Sequence, residues 1–284
     1  MTESDYVIPF IELFERKQVD VDGTIINFAQ AGTGKTLICI HGWTNDWTGF
    51  IPVGKYLINK YRVILIDLPG FGESGKLPEY TLEILAEKLK RFIEVMKLKD
   101  YVIVGHSMGT CVETKFYEKY PVAADKMVFI GAIVDGKSNR KLFKVTSKFF
   151  KILSKQELGK RIVKKIIERK IYAYFTAKFI NMYKFNKELI DAYGLIGKIR
   201  MTKEAFAEIG LEIVRSENWQ LLTDNKIPML FIYGKYDKIT PMKQAEKRLK
   251  DRGKYKFVSI DEAGHIVTIE KPKEVAREIK KFID

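Results

Sequence analysis

The chain is poor in histidine and cysteine, with three and two in 284 residues, and each scarcity narrows the reading. The cysteines, Cys39 and Cys111, both lie inside apolar runs. They exclude a disulfide-stapled scaffold and read as buried free thiols. Neither has a second Cys or a His at ligand spacing, so no metal site is expected. No uncharged stretch exceeds a dozen residues, and no segment can therefore span a bilayer as a helix. Met1-Thr2-Glu3-Ser4-Asp5 lacks the basic start and apolar core of a secretory signal, so the expectation is a cytoplasmic protein, at most peripheral at membranes. What remains is ordinary. With 46% hydrophobic and 30% charged residues, the chain can bury a substantial core and is too apolar for a disordered one.

The net charge of +14 suggests a nucleic-acid binder until its distribution is followed. Residues 137–200 hold 18 Lys/Arg against 4 Asp/Glu, and the other 220 residues carry 32 of each sign. Basicity belongs to one segment, which argues against nucleic acid as the partner. A local basic surface suits an anionic membrane surface, an acidic partner, or plain solvation of exposed helices.

Along the chain, continuous apolar runs at 35–40, 61–66, 101–104, 127–133, 229–233 and 257–260 read as strands buried on both faces. The spacing of Leu82, Leu85, Leu89, Phe92, Ile93 and Met96 predicts a helix between two of them. Strands alternating with helices predict a parallel sheet covered on both sides. From 135 to 213 the pattern turns wholly helical. There Leu158, Ile162, Val163, Ile166, Ile167 and Ile171 form an apolar stripe, with Lys160, Arg161, Lys164, Lys165 and Arg169 on the other faces. The expected organisation is an α/β core of residues 1–134 and 214–284, interrupted by a basic helical insertion, 135–213.

Gly105-His106-Ser107-Met108-Gly109 follows one of these strands and opens a helical stretch. A nucleophilic serine needs its oxygen exposed on a sharp turn, and flanking glycines let the chain make that turn. Such a serine needs a general base. Of the three histidines, His106 adjoins Ser107 and would point away from its hydroxyl, and His41 ends an early strand. His265, after the late strand 257–260, is left as the base. Asp237 lies 28 residues before it and is preferred over Asp135 as the carboxylate that orients the imidazole. The backbone N–H groups of Met108 and Trp43 are the expected oxyanion donors.

Together with His41-Gly42-Trp43, Asp67-Leu68-Pro69-Gly70-Phe71-Gly72-Glu73-Ser74, Tyr233-Gly234-Lys235-Tyr236-Asp237 and Gly264-His265, the elbow resembles the α/β-hydrolase superfamily. The likeness is to its capped small carboxylesterases and lipase-like serine hydrolases. It covers roughly 20–134 and 214–284 and is weak to silent over the insertion. It implies an α/β-hydrolase fold of about eight mostly parallel strands, the basic helical insertion 135–213 as a cap over the active site, no cofactor, and cleavage of a small-molecule ester through an acyl-enzyme. Short-to-medium acyl chains are expected, with Phe149, Phe150 and Phe175 as candidate substrate contacts. The same resemblance leaves open a carbon–carbon bond hydrolase of keto-dienoic acids and a carrier-protein methyl ester esterase. A ligand receptor on the same fold is the non-enzymatic alternative.

Two other motifs are read as structural. Ala29-Gln30-Ala31-Gly32-Thr33-Gly34-Lys35-Thr36 nearly spells a phosphate loop, but a strand follows where that motif needs a helix. Asp67 sits in a Pro- and Gly-fixed loop, where its carboxylate is expected to bind nearby backbone amides.

Overall fold

The computed structural model describes residues 7–134, 140–153, 155–223, 225–249, 253 and 255–284. Asp135 lies outside them. Eight strands form one sheet: β1 (Glu15–Val21), β2 (Thr24–Ala31), β3 (Thr36–Ile40), β4 (Arg62–Ile66), β5 (Tyr101–His106), β6 (Lys126–Ile130), β7 (Met229–Gly234) and β8 (Tyr255–Ile260). Their order is β1-β2-β4-β3-β5-β6-β7-β8. The β1–β2 and β2–β4 pairings are antiparallel and all others parallel.

The apolar runs are continuous because each strand feeds two cores at once. Ile38 and Ile40 of β3 pack on one side of the sheet, and Leu37 and Cys39 on the other. Phe231 and Ile232 of β7 divide in the same way. Side chains alternate across a pleated strand, so a sheet covered on both faces leaves no position for a polar residue.

The helices of the core are α1 (Ile51–Gly54), α2 (Leu82–Val95) and α3 (Met108–Lys119). Thr81 caps α2 by accepting from the Ile84 N–H at 3.1 Å, and the buried face is the one its apolar spacing predicts. Between β6 and β7 come α4 (Arg140–Leu153), α5 (Glu157–Ile167), α6 (Lys170–Thr176), α7 (Lys187–Tyr193), α8 (Ile196–Arg200) and α9 (Lys203–Arg215), with no strand among the described residues. The chain closes with α10 (Met242–Leu249), α11 (Val267–Glu270) and α12 (Pro272–Ile283). No helix among the described residues is long and apolar enough to cross a membrane.

The helical segment differs from its sequence reading in the direction its faces point. Only Val163 and Ile167 of the α5 stripe turn inward. Leu158, Ile162 and Ile166 are exposed, Leu158 by 71%, as are Val145, Phe149 and Ile152 on α4 and Ile171 and Phe175 on α6. Lys160 and Lys164 take the inner positions instead. Lys164 Nζ donates to the carbonyls of Lys198 and Ile199 at 2.6 and 2.9 Å, and Lys160 pairs with Glu208 at 3.5 Å. The end of α8 offers carbonyl oxygens that only a donor can satisfy, so a lysine is drawn in and the apolar face is turned out.

Candidate active site

In this sheet the chain leaves β3 toward β4 on one side and leaves β5 toward β6 on the other, and the crevice beyond the carboxyl ends of β3 and β5 is where an open α/β sheet places its ligand. Ser107 stands there, between the last residue of β5 and the first of α3. Its φ of 51° and ψ of −112° lie where side-chain-bearing residues rarely go, at a cost of about 1–3 kcal/mol. Three bonds hold it. The Ser107 N–H donates to Ile130 O at 2.9 Å, and its carbonyl accepts from the Thr110 N–H at 2.9 Å and from Thr110 Oγ1 at 2.6 Å.

The flanking glycines are required by close approach. A Cβ on Gly109 would sit 2.3 Å from the Ile40 carbonyl, and one on Gly105 would sit 2.8 Å from the Gly109 backbone. The start of α3 therefore rests directly on β3.

His265, in the turn after β8, brings Nε2 to 2.8 Å from Ser107 Oγ, and its Nδ1 lies 2.9 Å from Asp237 Oδ2. Asp237 follows β7, whose neighbour in the sheet is β8, so the two loops adjoin. Its carboxylate also accepts from the Ile239 and Thr240 N–H groups at 2.8 and 2.9 Å and from Thr240 Oγ1 at 2.7 Å. Burial alone would raise the Asp237 pKa. The His265 ring and the Thr240 bonds outweigh it and hold the carboxyl below the usual carboxylate range. The three side chains singled out in the sequence thus form one hydrogen-bonded line.

Other side chains brace the site. His106 does turn away from the hydroxyl, but its Nε2 donates to the His265 carbonyl at 3.0 Å and so braces the loop that carries the imidazole. Burial, reinforced by the charge of His265, pushes its pKa down to about 4, so it is neutral at physiological pH. His41 is also neutral, its pKa lowered first by burial. Its Nδ1 donates to Gly42 O at 2.9 Å and its Nε2 accepts from the Leu68 N–H at 3.2 Å, which ties the turn after β3 to the turn after β4. Asp67 accepts from Asn27, Trp47 and Glu73 at 2.8, 2.8 and 2.9 Å, a structural carboxylate under that turn. Glu270 takes the Gly264 and Tyr183 N–H groups at 2.8 and 2.7 Å, joining the His265 loop to the helical segment.

The N–H of Met108, first residue of α3, belongs to the helix terminus that has no intrahelical acceptor. Trp43 lies on the turn opposite. Its indole stacks on Phe206 at 4.7 Å and meets Phe150 edge-on at 5.4 Å.

Ser107 and His265 open into a cavity of about 330 Å³, whose walls include Trp43, Tyr172, Thr176, Ile180, Ile213 and Lys198. The expectation for substrate contacts is corrected here, because Phe149, Phe150 and Phe175 do not line it. Phe149 and Phe175 lie on the outward faces of α4 and α6, 47% and 58% exposed. Phe150 is spent on packing Trp43 and Phe206. Lys198 is the unforeseen member. It is 9% exposed, and burial pushes its pKa down to about 8. Among the described residues no three His, Cys, Asp or Glu side chains gather as a metal set. Cys39 and Cys111 are buried free thiols.

Residues 35–272 match the family model of the alpha/beta hydrolase fold. An uncharacterized hydrolase, YugF of Bacillus subtilis, is 27% identical over 277 residues, 94% of this chain and 97% of its own. A pimeloyl-[acyl-carrier protein] methyl ester esterase of Legionella pneumophila is 26% identical over 242 residues, 85% of this chain and 92% of its own. Among solved structures, a thermophilic esterase from Thermogutta terrifontis superposes with a TM-score of 0.76 at 23% identity, covering 95% of this chain and 98% of that one. The likeness to it is one of fold.

Proposed function

Because the chain belongs to the alpha/beta hydrolase fold family, we propose that it cleaves carboxylic esters through an acyl-enzyme formed on Ser107. The observation that carries this reading is the line of bonds from Ser107 Oγ through His265 to Asp237 at the edge of a largely apolar cavity. Ser107 Oγ attacks the ester carbonyl carbon while His265 Nε2 takes its proton. The positive charge that develops on the imidazole is stabilised by Asp237, which also keeps the proton on Nδ1. The amides of Met108 and Trp43 receive the oxyanion. His265 then protonates the departing alcohol, and water attacks the acyl-enzyme with the same imidazole as base.

The helical segment between β6 and β7 serves as the cap over this site, and a cavity of about 330 Å³ favours short-to-medium acyl chains. Turnover of a chromogenic ester series of increasing acyl length, with Ser107→Ala as control, tests the assignment. Activity that disappears in the variant, with an optimum at short or medium length, is expected. Equal turnover by the variant would remove Ser107 from the mechanism, and a flat length profile would remove the cap as a gate.

A further inference from the structure

Lys198 takes no part in the chemistry just described, yet it faces the cavity that holds Ser107. Among the described residues its ammonium has one hydrogen-bond partner, Thr44 Oγ1 at 3.2 Å, and no carboxylate within ion-pair distance. A buried, unpaired cation is costly, and a flexible lysine would escape to solvent if it could. This one is held. Arg200, two residues on, reaches Asp46 Oδ2 at 3.3 Å and Glu73 Oε1 at 3.2 Å, clamping α8 to the turns after β3 and β4. Gly197 lies so close to the turn after β3 that a Cβ there would sit 2.5 Å from the Asn45 backbone. Lys164 fastens the carbonyls of Lys198 and Ile199 from the other side. Arg200 and Lys164 are spent on fixing α8, and Lys198 is left lining the cavity.

Resting on the ester-hydrolase reading, we propose that Lys198 recognises a carboxylate on the substrate, so that the site takes half-esters of short dicarboxylic acids. An anion entering the cavity supplies the missing counter-charge in a low-dielectric setting, where a charge-assisted bond is strongest. The test is a matched pair of 4-nitrophenyl esters, the butyrate and the hemisuccinate, with wild type, Lys198→Met and Lys198→Arg. Wild type is expected to favour the hemisuccinate. In Lys198→Met the ratio of kcat/KM between the two esters should fall by about 10- to 100-fold, chiefly through KM, and Lys198→Arg should restore part of it. A wild type without preference, or an unchanged ratio in Lys198→Met, would overturn the proposal. Binding of succinate itself, followed by calorimetry, separates this idea from the hydrolase reading. Succinate bound by wild type and not by Lys198→Met keeps the anion site even if no ester is cleaved, whereas no binding by either defeats it.

The outward apolar faces of α4, α5 and α6 carry a second inference, independent of the cavity. Leu158, Ile162 and Ile166, spaced four residues apart, put one apolar side of α5 in water, an exposure soluble monomers rarely show without a partner, and it lies within the segment that holds the chain's whole excess of positive charge. A second copy of the same cationic face would be repelled. A surface that is apolar beneath and negative above suits both features. We infer that this face rests on an anionic lipid bilayer, with the isoleucines and phenylalanines at the acyl boundary and the lysines among the headgroups. Co-sedimentation with phosphatidylcholine vesicles, with and without phosphatidylserine, tests it. Binding is expected only with phosphatidylserine, weakened by salt and lost in Ile162→Asp, whose exposed site tolerates the change without unfolding. No binding at low salt, undiminished binding by Ile162→Asp, or self-association through this face in place of vesicle binding would overturn it.

Discussion

His106 offers a prediction whose size follows from its surroundings. The ring is 6% exposed, and burial together with the charge of His265 lowers its pKa to about 4. In the unfolded chain the same ring titrates near about 6.5. Between those values the unfolded state binds a proton that the folded state refuses. The contribution to stability is therefore complete above about pH 6.5, falls by about 1.4 kcal/mol per unit as pH drops, and is exhausted near pH 4, a total of about 3 kcal/mol. His106→Gln keeps an N–H donor for the His265 carbonyl and removes the titration. Urea unfolding of both proteins across this interval should give a wild-type curve that falls more steeply, by about 3 kcal/mol over the range. His41, present in both proteins, cancels in the difference. Asp237, whose carboxyl is held below the usual range, loses its contribution only below about pH 4, outside the window. Parallel stability curves for the two proteins would refute the account of His106 as a buried neutral brace.

Asp237→Asn should lower kcat on a chromogenic ester by about three to four orders of magnitude, because the amide no longer fixes the imidazole tautomer, while circular dichroism stays native. Phe150→Ala removes the edge contact to Trp43 and should cost about 3 kcal/mol in urea unfolding. Arg200→Met leaves the fully buried Asp46 without its cation and should cost about 3 kcal/mol or more by the same measurement, with a raised KM as α8 loosens from the turn after β3.

The motif residues were legible because their chemistry and their backbone geometry coincide. Gly105 and Gly109 mark a place where two main chains touch, and only one histidine could follow the last strand. Strands β1 and β2 were not read from residues, and the reason is physical. Strand β1 is an edge strand, mostly exposed, whose Glu15-Arg16-Lys17-Gln18 start carries no apolar run. A signal was present in Asp22-Gly23, both at positive φ, which joins Val21 to Thr24 in a two-residue hairpin. The facing of α5 was illegible for another reason. Periodicity shows that a stripe exists, and what draws Lys164 inward is the carbonyl end of α8, which is distant in sequence. Lys198 was hidden among the 18 cations of its segment, and its burial distinguishes it from the exposed ones.

All three histidines of the chain lie in or directly beneath the site, and their bonding assigns one tautomer to His41 and His265 and the other to His106. The proton of His41 is on Nδ1, facing the Gly42 carbonyl. That of His106 is on Nε2, facing the His265 carbonyl. His265 carries its proton on Nδ1 toward Asp237, leaving Nε2 for Ser107. Uniform labelling of histidine with nitrogen-15 therefore places spectroscopic probes in this site and nowhere else in the molecule. Three sets of ring signals, read without assigning a backbone, would report the turn after β3, the His106 brace and the His265 imidazole separately while a ligand is added.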